Sequence, residues 1–237
     1  MEEPKIISKK EVLETIGFRL EDSLRSYGFK YIKSKSHLIK KFNGGFYRIL
    51  FTTYDGFPVS HQELNIQFIV RLNEIEEIVS RFYNERFRNP EFSKLSDTIN
   101  CDFNCINKGV LENILPPKPD LCKLCNKDNN RYFVIHESGD IDIAAEQLKS
   151  FIKSNGLDFF EKFTNTQKLN EWFKQKLLSS DYPLDLLEVM HSLILMKRTK
   201  DSDYESILKI YTSRLKPNIG FEVETNAAFK EIIDYLN

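Results

Sequence analysis

Apolar residues near the start of the chain recur every three to four positions: Val12, Leu13, Ile16, Leu20, Leu24 and Tyr27. That period predicts an amphipathic helix. Ser8 and Glu11 have capping-box spacing at its start, and Gly28 is placed to end it. The pattern then changes. "FKYIK", "HLIKKF" and "FYRILFTTY" read as strands, the first two separated by Ser34-Lys35-Ser36 and the last two by the hairpin signal Asn43-Gly44-Gly45. In "LNIQFIVRL", Leu64, Ile66, Phe68, Val70 and Leu72 fall on one face and Asn65, Gln67 and Arg71 on the other. Such alternation predicts an antiparallel meander with one packed and one wet face.

Asn73 and Glu76 repeat the capping-box spacing and predict a helix with Ile75, Ile78, Val79, Phe82 and Tyr83 inward. "TINCDFNCI" and "RYFVIH" read as two further strands, with the stiff loop "PPKPD" between them. After residue 137 the periodicity is helical. One helix, capped by Ser138 or Asp140, ends at Asn155-Gly156, and "DFFEKF" reads as a short turn. The next buries Leu169, Trp172, Phe173 and Leu177; another starts with Pro183 as its first residue. Ser202 and Glu205 give a further capping box, and a last helix runs from about Glu224 to Leu236. Strands grouped first and helices afterwards predict an α+β fold. The expected organisation is a helix-plus-sheet domain over 1–137, followed by a helical region over 138–237.

Composition narrows the class. With 237 residues, 41% hydrophobic and 29% charged, the chain reads as a globular protein with a sizeable core. Its 19 Phe and 10 Tyr predict a ring-rich interior. No apolar run is long enough to span a bilayer, and the acidic start "MEEPKIISKKEVLETIGF" lacks an apolar signal core. The expectation is a cytoplasmic protein that does not enter membranes.

Charge changes the picture locally. Net charge is −1, yet no Asp or Glu occurs from Ser23 to Tyr54 while seven cations do. Of these, Lys30, Lys33, Lys35, Lys40, Lys41 and Arg48 fall on the predicted strands and their turns and form the candidate partner-binding set. A solvated sheet face is the plainest reading. An acidic protein partner comes next and nucleic acid third, because the glycine-aromatic signature of RNA-binding sheets is missing.

All four cysteines lie within "CDFNCINKGVLENILPPKPDLCKLCNKD". Two short-spaced pairs are a zinc pattern. On a straight strand, however, Cys101 and Cys105 would sit about 13 Å apart, too far to share an ion. Packing is the preferred reading, with zinc through Cys101, Cys105, Cys122 and Cys125 the alternative and no other cofactor expected. The histidines show no ligand spacing, and no nucleophile motif or phosphate-cradling loop is present. His136, Glu137, Asp140 and Asp142 resemble a ligand cluster, but helix capping explains the aspartates. No catalytic residue is assigned.

"LEDSLRSYGFKYIKSKSHLIKKFNGGFYRILF" and "GDIDIAAEQLKSFIKSNGLDFFEKFTN" resemble the bacterial proteins grouped as domain of unknown function 4304. The resemblance departs at "LNIQFIVRL" and at the cysteine segment. It implies a fold and a bacterial origin, and an immunity- or inhibitor-like role for proteins of that appearance, but no activity. The expected function is a non-catalytic protein-binding module using the basic sheet face; the alternative is a zinc-stabilised nucleic-acid-binding protein.

Overall fold

The computed structural model describes residues 7–56, 61–84, 96–102, 133–181, 183–215 and 222–237. In chain order their elements are α1 (Lys9–Leu24), β1 (Lys30–Ile32), β2 (His37–Phe42), β3 (Gly45–Asp55), β4 (Gln62–Leu72), α2 (Asn73–Val79), β5 (Ile99–Asp102), β6 (Phe133–Ile135), α3 (Ser138–Phe151), α4 (Leu157–Thr164), α5 (Thr166–Ser179), α6 (Leu186–Arg198), α7 (Tyr204–Arg214) and α8 (Glu222–Leu236). The fold is α+β, as the grouping of periods predicts. Two compact units interleave along the chain: residues 1–70 with 99–161, and residues 71–98 with 162–237. The 137/138 junction lies inside the first unit, because α3 packs against α1 and Arg19 pairs with Asp142 at 2.6 Å.

Among the described residues, the first unit holds a six-stranded sheet ordered β1-β2-β3-β4-β5, with β6 also pairing β4. The β2–β3 turn is the two residues Asn43-Gly44, where Gly44 has φ 98. A glycine meets that left-handed conformation at no steric cost. Tyr31, Leu38, Ile49, Phe51, Leu64, Ile66, Phe68 and Val70 are buried and form the inner face. Helices α1 and α3 and the rings Phe159 and Phe160 cover it. "DFFEKF" is helical (α4) rather than a turn: its rings recur at helical spacing, so Phe159, Phe160 and Phe163 are all buried.

Helix α1 accepts a ring where it carries no side chain. Tyr31 lies across Gly17 and donates its hydroxyl to the Leu13 carbonyl at 3.0 Å. A Cβ on Gly17 would stand 2.2 Å from the Tyr31 ring. Gly17→Ala should therefore destabilise the protein by about 1–3 kcal/mol, although alanine alone favours a helix by about 1 kcal/mol over glycine. Urea denaturation checks the sign; a stabilised variant would show that the ring yields freely.

In the second unit α6 is apolar nearly all round, with Leu186 and every residue from Val189 to Met196 buried, so it can only be a central helix. Helices α2, α5, α7 and α8 pack around it. Its start differs from the Pro183 expectation. Asp185 caps it, its carboxylate accepting from the Leu187 and Glu188 N–H groups, while Leu184 bridges to Leu215. Helix α7 likewise begins at Tyr204 after Asp203, not on a Ser202/Glu205 box, because Asp201 is drawn into a cluster with Asn170 and Lys174.

Candidate functional site

Strand register decides which of the basic residues share a surface. Lys30 faces Ile39 and Ile39 faces Arg48; Ile32 faces His37 and His37 faces Leu50; Lys41 faces Phe46. Side chains directly opposite one another in a sheet point to the same side. Lys30, Ile32, His37, Ile39, Lys41, Phe46, Arg48 and Leu50 therefore occupy the face opposite the core. Lys40 pairs with Tyr47 and falls on the other face, where its ammonium lies 5.7 Å from the Tyr47 ring and that ring stacks on Phe160. Lys33 and Lys35 lie in the tight turn between β1 and β2, and Lys33 pairs with Glu14 of α1 at 3.0 Å. Of the six candidate cations, Lys30, Lys41 and Arg48 come together, and Lys33, Lys35 and Lys40 do not join them.

The outer face has an order that charge alone does not reveal. Ile32 on β1, Ile39 on β2 and Phe46 on β3 each step one strand across and two residues along, so they form a straight diagonal. Each step is about 8 Å, giving a stripe about 16 Å long. All three side chains are half-buried, whereas Lys30 and Lys41 beside them are exposed. Lys30 and Lys41 flank the stripe on one side; His37, Arg48 and Leu50 flank it on the other. Arg48 is only 9% exposed, and its guanidinium lies 5.4 Å from the Phe46 ring. It shapes the stripe more than it offers charge. Burial, then the nearby Arg48 and Lys35 charges, pushes His37 down to about 4, so it is neutral at pH 7. No carboxylate lies on these three strands before Asp55.

The β1 edge is closed. The Tyr31 N–H donates to the Glu21 carboxylate at 3.1 Å, and the Phe29 N–H donates to the Leu24 carbonyl. Both acceptors belong to α1, which turns back at Gly28 with φ 85. With these outward donors taken, this edge offers no ladder to an added strand.

A second polar grouping lies in the helical unit. Glu76, wholly buried, accepts from His191 Nε2 at 2.8 Å and from the Thr98 hydroxyl at 2.9 Å. Thr98 Oγ1 in turn accepts from the Leu72 N–H, and Phe173 stacks on the His191 ring. Burial pushes the Glu76 carboxyl up, but His191 and the Ser96 and Thr98 hydroxyls outweigh it and hold it down at about 2. Glu76 is therefore no capping-box residue, and Asn73 accepts from Arg71 instead. The signal for this pair was His191 inside the most apolar run of the chain, since a buried imidazole requires a polar partner. The pair ties α2 to α6 and has the form of a structural lock.

Helix α3 is capped by Glu137 rather than by Ser138 or Asp140: Asp140 sits inside the first turn and accepts from the His136 and Glu137 N–H groups, while the Glu137 carboxylate accepts from the Asp140 N–H, a reciprocal capping box. His61 and His136 lie with ring centroids 5.1 Å apart, and Glu63 is 3.5 Å from His61. Among the described residues, no three His, Cys, Asp or Glu side chains are grouped to hold a metal ion. Cys101 is buried on the inner face of β5 opposite Phe68. Cys105, Cys122 and Cys125 lie outside the described residues, and the zinc expectation with them. No helix among the described residues is long and apolar enough to cross a membrane. Comparison of the chain with protein-family models, curated proteins and solved structures finds no match.

Proposed function

We propose that this protein is a non-catalytic binding module that holds an acidic protein partner on the outer face of β1, β2 and β3. One observation carries the reading: an apolar diagonal, Ile32–Ile39–Phe46, flanked by the exposed ammonium groups of Lys30 and Lys41 on strands without a carboxylate. A half-exposed apolar centre with a charged margin is the anatomy of protein interfaces, where the centre supplies affinity and the rim supplies steering and orientation. Phe46 is the one ring on the stripe and is already engaged by Arg48, whereas single-stranded nucleic acid requires open ring faces for base stacking. An immunity- or inhibitor-like role fits such a module, because blocking another protein needs only a complementary surface.

The test is a comparison of the tagged wild type with the double variant Lys30→Glu/Lys41→Glu, both purified from the native host. The wild type should retain a stoichiometric partner, with cross-links to β1 and β2, and the variant should lose it while keeping its circular dichroism spectrum. A partner retained equally by both, or no partner at all, sinks the reading.

A further inference from the structure

We infer that the partner element seated on this face is an amphipathic α-helix of about three turns, apolar along one stripe and acidic along its flank. The inference rests on the binding-face reading above and adds the shape of what binds. Strand addition is the usual way for a sheet to take an extended peptide, and the Tyr31 and Phe29 N–H groups at the β1 edge are both occupied by α1. The partner must then lie on side chains. A straight apolar line about 16 Å long matches about 11 residues of helix at 1.5 Å per residue. An extended strand of that length presents alternate side chains to opposite sides and would meet the line with only half of them.

Charge complementarity fixes the flank. Lys30 and Lys41 stand on the same side of the diagonal, one beside each step, and neither is in an ion pair among the described residues. A helix with apolar residues at i, i+4, i+7 and i+11 places the residues next to that stripe along one side of it. Glutamates there would meet both ammonium groups at once. On the other side His37 is neutral and Arg48 is largely covered, so the face is cationic along one margin. That asymmetry also orients the helix.

Three peptides of identical composition separate the alternatives when titrated against the full chain by fluorescence anisotropy. One is a stapled helix with Leu at i, i+4, i+7 and i+11 and Glu along one flank; one alternates Leu and Glu for an extended conformation; one is scrambled. The stapled helix should bind at least about ten-fold tighter than the others, and Lys30→Glu/Lys41→Glu should weaken it at least ten-fold. Ile39→Glu should abolish its binding; Ile39→Ala, a milder change, should reduce it and covers the case in which the first variant fails to fold. Equal binding of all three peptides, weakened by the lysine reversals, overturns the helix and leaves the acidic-partner face standing. No binding, or indifference to the reversals, overturns both. Binding of oligo-dT that the reversals remove would transfer the face to nucleic acid.

Discussion

Replacing Glu76 with alanine should lower the unfolding free energy by about 3–5 kcal/mol, the loss expected when one member of a buried polar pair is removed. The His191 Nε2–H and the Thr98 hydroxyl would both lose their acceptor in a wholly buried setting. Each stranded donor costs about 1–3 kcal/mol, and the vacated volume adds to that. The contrasting variant is Glu76→Leu/His191→Phe, which removes both partners of the pair and should cost about 1–3 kcal/mol less than the single change, because the imidazole N–H is no longer stranded and only the Thr98 and Ser96 hydroxyls lose their acceptor. Urea denaturation of the three proteins checks the difference. Equal losses in the single and double variants would mean that packing, not pairing, sets the cost.

The same pair makes an acid-stability prediction. The folded Glu76 carboxyl lies at about 2, below its ordinary 4.5, so the charged form is the one that the fold favours. Its contribution is fully present above about 4.5 and is lost as pH falls from there toward 2. Glu76→Gln carries no charge at any pH and should show a flatter loss of stability over that interval than the wild type.

Glu76 also shows where the sequence is legible and where it is not. Period-2 alternation placed Leu64, Ile66, Phe68 and Val70 on the core face, and Asn43-Gly44 marked the hairpin, because both signals are local. The Asn73/Glu76 spacing matched a capping box, but a spacing states only what a side chain can reach along its own helix. The stronger claim on Glu76 came from His191, 115 residues away. Asp201, Asp203 and Asp185 repeat the lesson: local rules marked helix starts near them, and tertiary partners or a neighbouring residue moved the starts by one to three positions. For the candidate site, the charge run was plain, yet its division between two faces depended on register. Lys40 and Lys41 are adjacent in the chain and must diverge on a strand. The apolar diagonal was hidden for the same reason, since Ile32, Ile39 and Phe46 become a line only once three strands are aligned.

Phe68→Ala should cost about 3–5 kcal/mol. The ring is fully buried, with Phe151, Phe159 and Phe160 packed around it at centroid distances of 5.8, 6.2 and 6.0 Å. Gly156 approaches it so closely that an added Cβ would stand 3.0 Å from the ring. Neighbours held on that many sides cannot collapse into the vacated volume, so the cavity persists and the full cost is felt. Gln67, one residue earlier and on the outer side of the same strand, is the control: Gln67→Ala should stay within about 0.5 kcal/mol of the wild type. Comparable losses at both positions would mean that the outer side of β4 is packed at Gln67 as it already is farther along, where Ile69 and Arg71 are buried. The contrast bears directly on the proposed binding face. On that proposal core packing and partner contact are carried by opposite sides of one sheet, so Phe68→Ala should reduce partner binding only in proportion to the unfolded fraction. Lys30→Glu/Lys41→Glu should remove binding at unchanged stability.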